Sequence, residues 1–379
     1  MAGIWVASRA VTTWFMLFLA AHQGPTYWAP ARPGYFRFAQ FWDSGWFHTI
    51  ATSGYPLRLP LDEAGHVVAN AWAFLPAYPA VVSAVMSVTG IPWDVASVLV
   101  AAACSLGAAL VLDRLLLAVL HRRSPFTVAL FCFGPLSAVL QVAYAESMAV
   151  LLLAVALLLL VRRRYLALIP VLLLTDLTRP LGVPLAATTA VVVGLRMLPG
   201  ARERLQRRHL AAALAAVVVS VVGAVLWPAV AWLATGDPSA YVASEVAWRQ
   251  GRLGPGSFLP FTAWIRAAQR IAPGGLGLVL LALGVAAFAA LLVAHPAVRR
   301  LGVEVRVWAA AYSGYLLAVF DPQSSTFRLL LPLFPLLGAF AGIRSRTVRI
   351  VLLVLCVAGQ FLWIAATWAR WHVSGWAPP

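Results

Sequence analysis

The chain alternates long apolar runs with short clusters of arginine, and that alternation restricts the fold before any motif is considered. A helix needs about 20 apolar residues to cross the hydrocarbon layer of a bilayer, where every backbone N–H and C=O must be satisfied within the segment. Apolar runs lie near residues 4–22, 95–120, 126–142, 145–161, 165–177, 181–195, 210–234, 276–294, 307–320, 328–343 and 349–369. Only 11% of the residues are charged, against roughly a quarter in a soluble globule. The pattern predicts an all-α, polytopic membrane protein with about eleven transmembrane helices, a single domain over residues 1–379 seated in a lipid bilayer. The runs 165–177 and 181–195 are short and joined by TDLTRP, which allows a hairpin that does not cross fully.

Arginine sets the topology. The first run, Ile4 to Ala21, is long enough to be an uncleaved first span rather than a signal peptide. The stretch 74–90 is interrupted at its start by Pro76 and Pro79. Treated as a juxtamembrane helix that stays on the outer side, it leaves the clusters at 121, 162, 202, 299 and 344 inside, with eighteen arginines inside or near inner ends and ten outside. Treated as a crossing, it would put His121–Arg123 outside and break the positive-inside bias. The formal charge of +16 therefore reports orientation and does not point to nucleic acid, because no basic run sits on a polar domain. On this topology nine of the twelve acidic residues, and most tryptophans, fall on the outer side. Two long connections, 23–94 and 235–275, also lie there, and loops of that length in a compact protein are usually functional. Cys104, Cys132 and Cys356 sit in apolar runs without metal-ligand spacing, so they read as packing residues.

The first outer connection carries the most unusual chemistry. In FWDSGWFHTIATSGYP, Ser44 is placed to cap a helix from Gly45 to Ser53 that Gly54 would end. Asp43 then lies just before the helix N-terminus, where the dipole and free N–H groups favour an ionised carboxylate. Such a carboxylate could serve as a base toward a sugar hydroxyl, or it could simply cap the helix. Glu146 in YAES, Arg179 in TDLTRP and Arg328 in DPQSSTFRLL lie at outer span ends. A charge near the membrane is expensive unless it is paired or used, and arginine offers a planar fork for phosphate oxygens. Pairing between Glu146 and Arg179 is the structural alternative. His48 and His66 are potential phosphate or metal ligands. No D-x-D pair, P-loop, dinucleotide fingerprint or G-x-S-x-G elbow occurs.

The stretch W-D-x-x-x-F-x-x-I-A-x-x-G-Y-P, followed by N-x-W-A-F-L-P-x-Y-P, resembles the motif of the PIG-V family of mannosyltransferases (the GPI mannosyltransferase II type), in its bacterial, actinobacterial form. YAES, LTRPLG, TGDPSAYVASEVAW and FRLLLPLFP follow in the family's order, so the resemblance covers most of the chain. It implies a GT-C glycosyltransferase: a multi-span cell-membrane enzyme whose active site faces outward, with two juxtamembrane helices and a catalytic Asp in the first outer loop. By this resemblance Asp43 is the catalytic base. Arg179, Arg328 and Glu146 then line the donor or acceptor site, with the motif positions Trp42, His48, Tyr55 and Asn70 as further binding candidates. The implied donor is polyprenyl-phosphate mannose, the acceptor a glycolipid or glycan hydroxyl, and no metal or other cofactor is required. Phe47 stands where many members have Tyr. Rival expectations are a GT-C enzyme using another lipid-phosphate sugar or a protein acceptor, and a lipid or solute transporter without transferase activity.

Overall fold

The computed structural model describes residues 1–200, 204–248, 259–272 and 274–369. Among these the chain is helical, with no strand and one isolated bridge between Leu61 and Val67. The helices in order are α1 (Ala2–Ala21), α2 (Tyr35–Phe38), α3 (Ser44–Ser53), α4 (Ala77–Thr89), α5 (Trp93–Leu120), α6 (Pro125–Phe133), α7 (Glu146–Val161), α8 (Tyr165–Asp176), α9 (Gly182–Met197), α10 (Arg207–Thr235), α11 (Ala240–Ala247), α12 (Thr262–Ile271), α13 (Leu276–Ala294), α14 (Pro296–Arg299), α15 (Gly302–Val319), α16 (Thr326–Leu329) and α17 (Arg346–Thr367). Turns of 3-10 helix lie at Ala71–Ala73, Ser137–Gln141 and Leu331–Gly342. Five of the described helices, α1, α5, α10, α13 and α17, are long and apolar enough to cross a membrane. The chain divides into two compact units. One is built from residues up to Gly54, Pro76–Leu158 and from Ser324 on; the other from Tyr55–Leu75 and Leu159–Gln323.

In the first unit the apolar run 126–142 is not one helix. Helix α6 stops at Phe133, Gly134 turns the chain, and a 3-10 turn follows at Ser137–Gln141. Pro135 lacks an N–H and cannot continue the ladder, so carbonyls at the break lose their helical donors. Two polar side chains replace them. Arg9 of α1 donates to the carbonyls of Ser137 at 2.8 Å and Cys132 at 2.7 Å. Gln360 of α17 donates to the Gly134 carbonyl at 3.2 Å and to the Ser137 hydroxyl, and its own oxygen accepts from Thr12 at 3.0 Å. In α1, Ser8, Thr12, Phe15, Met16 and Leu19 recur at helical spacing on the buried side, so one face supplies both the polar stitch and the packing.

Helix α3 starts one residue earlier than expected. Asp43 occupies the N-cap position without a side-chain cap bond, and the Ser44 hydroxyl donates instead to the Gln40 side-chain oxygen at 2.5 Å. Gln40 also accepts from the Trp93 indole and donates to the Asp94 carbonyl and the Ser97 hydroxyl, fastening this segment to the start of α5. Gly54, with φ +74°, ends α3. The expected helix over 74–90 is α4, which begins after Pro76 and ends at Gly90. Its 13 residues span roughly 20 Å at about 1.5 Å per residue, well short of a hydrocarbon layer of about 30 Å.

In the second unit α10 packs on α8 and α9, and α9 packs on α15. Small residues permit the close approach: a Cβ at Gly182 would come within 2.7 Å of the Ala224 Cα, and one at Gly223 would collide with the Asp176 carboxylate. Helix α15 starts at Gly302, before the apolar run at 307, and so carries Glu304 into the packed interior. Arg196 of α9 neutralises it directly and also donates to the Tyr165 hydroxyl at 2.8 Å and the Leu160 carbonyl at 3.0 Å. With side-chain exposures of 3% and 6%, this pair is a buried one, and removing one partner leaves an uncompensated charge. Arg196→Met is expected to destabilise the protein by about 3–5 kcal/mol, with Arg196→Met/Glu304→Met recovering most of the loss; thermal unfolding of both in detergent, followed by circular dichroism, checks this.

Candidate functional site

The site in the first unit is assembled by three irregular pieces of backbone. After the 3-10 turn at Ser137–Gln141 the chain runs extended through Val142, and the Ala143 N–H donates to the Ala39 carbonyl at 3.3 Å. That bond brings Tyr144 and Glu146, at the start of α7, beside the segment that leads into α3. Trp42 in that segment has φ +65°, a left-handed conformation that costs a non-glycine residue about 1–2 kcal/mol. Its indole is fixed by donation to the Thr367 carbonyl at 3.1 Å and by packing 4.6 Å from the Trp28 ring. The strained residue turns the chain where Asp43 reaches Arg328. The third piece is α16, a single turn that presents Arg328.

These pieces converge on the Arg328 guanidinium. Its Nη1 lies 2.6 Å from Asp43 Oδ2 and 3.1 Å from Glu146 Oε1. The Tyr144 ring sits against the guanidinium, 5.1 Å from centroid to Cζ, and the Tyr144 hydroxyl accepts the Asp43 backbone N–H at 3.2 Å. Burial, followed by the neighbouring Asp43 carboxylate, holds the Tyr144 phenol well above its ordinary pKa range, so it stays neutral. Side-chain exposure is 7% for Glu146, 9% for Arg328 and 18% for Asp43. The carboxylate of Asp43 is thus the most accessible of the three charges. One cation faces two carboxylates, so the cluster holds one excess negative charge.

Of the residues singled out from sequence, the structure joins Asp43, Glu146 and Arg328 and places Trp42 as the backbone turn behind them. Glu146 pairs with Arg328. His48 is exposed on α3 and stacks on Trp93 with centroids 5.3 Å apart. Tyr55, Asn70 and Arg179 belong to the second unit. Tyr55 stacks on Trp72 at 4.6 Å and donates to the Phe74 carbonyl at 3.0 Å, and burial pushes its phenol well above the ordinary range. The Asn70 side-chain oxygen accepts from the Trp72 N–H at 2.9 Å and the Ser244 hydroxyl at 3.0 Å, and its amide donates to the Val68 carbonyl at 2.9 Å. Both residues are engaged in holding the turn at Ala71–Ala73. Arg179 lies in the half-buried link after α8. His66 pairs with Asp62 on an exposed turn, where the His66 backbone N–H holds the Asp62 carboxyl below its ordinary range.

Tyr144 is the site residue that sequence reasoning missed. Its signal was adjacency, since it stands two positions before Glu146 in YAES. Among the described residues no group of three or more His, Cys, Asp or Glu side chains is placed to hold a metal ion. The three cysteines are free thiols, Cys132 buried and the other two partly so. The chain matches no protein-family model and no curated protein.

The geometry sets a stability expectation. Arg328→Met leaves Asp43 and Glu146 facing each other without a cation and is expected to lower stability by about 3–5 kcal/mol. Asp43→Asn, which keeps the Arg328–Glu146 pair, is expected to cost much less. Thermal unfolding midpoints of the two variants against the parent chain decide the ranking.

Proposed function

We propose that the protein is an inverting glycosyltransferase of GT-C type that moves mannose from a polyprenyl-phosphate donor to a hydroxyl of a glycolipid or glycan acceptor. The observation that carries this reading is the meeting of Asp43, Glu146 and Arg328, contributed by stretches far apart in sequence, in one partly accessible cluster. Asp43 is the base. It takes the proton from the acceptor hydroxyl as the oxygen attacks the anomeric carbon from the face opposite the phosphate. The bond between that carbon and the phosphate oxygen breaks, its electron pair leaves with the polyprenyl phosphate, and Arg328 stabilises the departing charge. Phosphate leaves readily without a general acid, so the scheme calls for no metal.

In this reading the protein is a multi-pass cell-membrane enzyme of about eleven spans with the cluster facing outward. The five long apolar helices and the shorter apolar ones support membrane association, and the arginine distribution supports the orientation. The test is to incubate purified protein with polyprenyl-phosphate mannose and extracted membrane glycolipids and to search by mass for products one hexose heavier. A hexose-bearing product is expected from the parent chain. Asp43→Asn is expected to fold normally and lose at least about a hundredfold in rate, the usual contribution of a positioned base. Full activity in that variant, or no transfer to any acceptor by the parent chain, overturns the proposal.

A further inference from the structure

If the cluster transfers a sugar from a lipid phosphate, its resting arrangement is wrong for the reaction in two respects. Asp43 Oδ2 is engaged by the Arg328 guanidinium at 2.6 Å, so one of the two oxygens that could receive the acceptor's proton already accepts a charge-assisted hydrogen bond. The guanidinium in turn is shared between two carboxylates, so an arriving phosphodiester, itself an anion, meets a cluster with excess negative charge. The leaving phosphate monoester would add a further charge.

One exchange removes both defects. We propose that the Asp43–Arg328 ion pair is the closed form of the site, and that the phosphate of a polyprenyl-phosphate lipid replaces the Asp43 carboxylate on Arg328, thereby freeing Asp43 to act as base. This rests on the transferase reading above. Asp43, not Glu146, is the carboxylate that yields. It is the more exposed of the two, its carboxylate makes no cap bond to its own helix, and turning it about its side-chain bonds needs no backbone movement. Its backbone N–H stays on the Tyr144 hydroxyl at 3.2 Å, which fixes the pivot while the carboxylate turns. Glu146 retains the guanidinium from the α7 side at 3.1 Å, and the Tyr144 ring supports its face. Glu146 and Tyr144 are positioning residues in this scheme. The lipid phosphate opens its own base, so an acceptor entering before the donor finds the carboxylate still paired with Arg328.

The scheme makes a counterintuitive demand: removing the charge of the base should strengthen binding of the lipid phosphate. Purified parent protein, Asp43→Asn and Asp43→Ala are titrated with sugar-free polyprenyl phosphate in nanodiscs of neutral lipid, and binding is read by tryptophan fluorescence. Both variants are expected to bind about fivefold more tightly than the parent chain, equivalent to about 1 kcal/mol, while transferring hexose at least about a hundredfold more slowly. The two variants differ in side-chain volume, so the result survives if either fails to fold. Tyr144→Phe keeps the ring beneath Arg328 and loses the anchor on the Asp43 N–H; it is expected to lower kcat severalfold with donor KM and thermal stability unchanged. Equal or weaker binding by the Asp43 variants, with transfer by the parent chain intact, overturns the exchange and leaves the transferase reading standing. Failure of the parent chain both to bind polyprenyl phosphate and to transfer hexose overturns both.

Discussion

A guanidinium shared by two carboxylates inside an apolar helical unit is the interaction on which the first unit's architecture turns. Burying any one of these charges alone would cost several kcal/mol. Each is tolerable because the other two are within reach, and that condition dictates where three separate stretches of chain must end up. Arg328 can sit in a one-turn helix because Asp43 and Glu146 face it. Glu146 can open α7 because Arg328 neutralises it. Asp43 can stand at the N-cap of α3 although its side chain makes no cap bond there. The cluster brings the start of α3, the start of α7 and α16 to one point through charge-assisted contacts.

Such a meeting point requires backbone that departs from regular helix, and the departures are satisfied nearby. Gly134 and Pro135 end α6, and Arg9 and Gln360 replace the donors that the break removes. The left-handed Trp42 is held by its indole bond to the Thr367 carbonyl. At the first break side chains from distant helices bond the irregular main chain, and at the second the irregular residue's own indole bonds a distant carbonyl. Within a bilayer, non-helical backbone is tolerated only where protein groups satisfy it in this way. The irregular segments carry the site, and the regular helices around them hold those segments in place.

How much of this was legible in the sequence follows from the same physics. The all-helical class followed from the apolar runs, and α3 and α4 from caps, glycines and the two prolines. Asp43, Glu146 and Arg328 stood out because each is a charge in apolar company. Their contact was not legible: Asp43 and Arg328 are 285 residues apart, and spacing carries no information at that range, so a pairing of Glu146 with Arg179 was equally consistent. The break at Gly134 was written in the sequence but hidden, because the flanking residues are apolar enough to read as one continuous run. Tyr144 went unrecognised because a tyrosine between two alanines looks like core, and only the ring's position against Arg328 gives it another role. Asn70 and Tyr55 illustrate the converse, since both belong to a distinctive motif yet their polar atoms are committed to neighbouring backbone and Ser244.

Two arginine clusters in this chain differ in how their charge is matched. Arg196 neutralises Glu304 through Nη2, and its Nη1 donates to the Tyr165 hydroxyl and the Leu160 carbonyl. Charge is balanced, both partners are almost wholly buried, and nothing is gained by opening the pair. Arg328 meets two carboxylates with one cation, and apart from that ion pair the more exposed residue, Asp43, is held through its backbone. A cluster of that kind is over-supplied with negative charge and has one member free to leave. An incoming anion that can displace it meets a preformed cation whose other side is already held. The imbalance is unfavourable for stability, and it is also what would let binding of a phosphate at Arg328 be felt as basicity at Asp43.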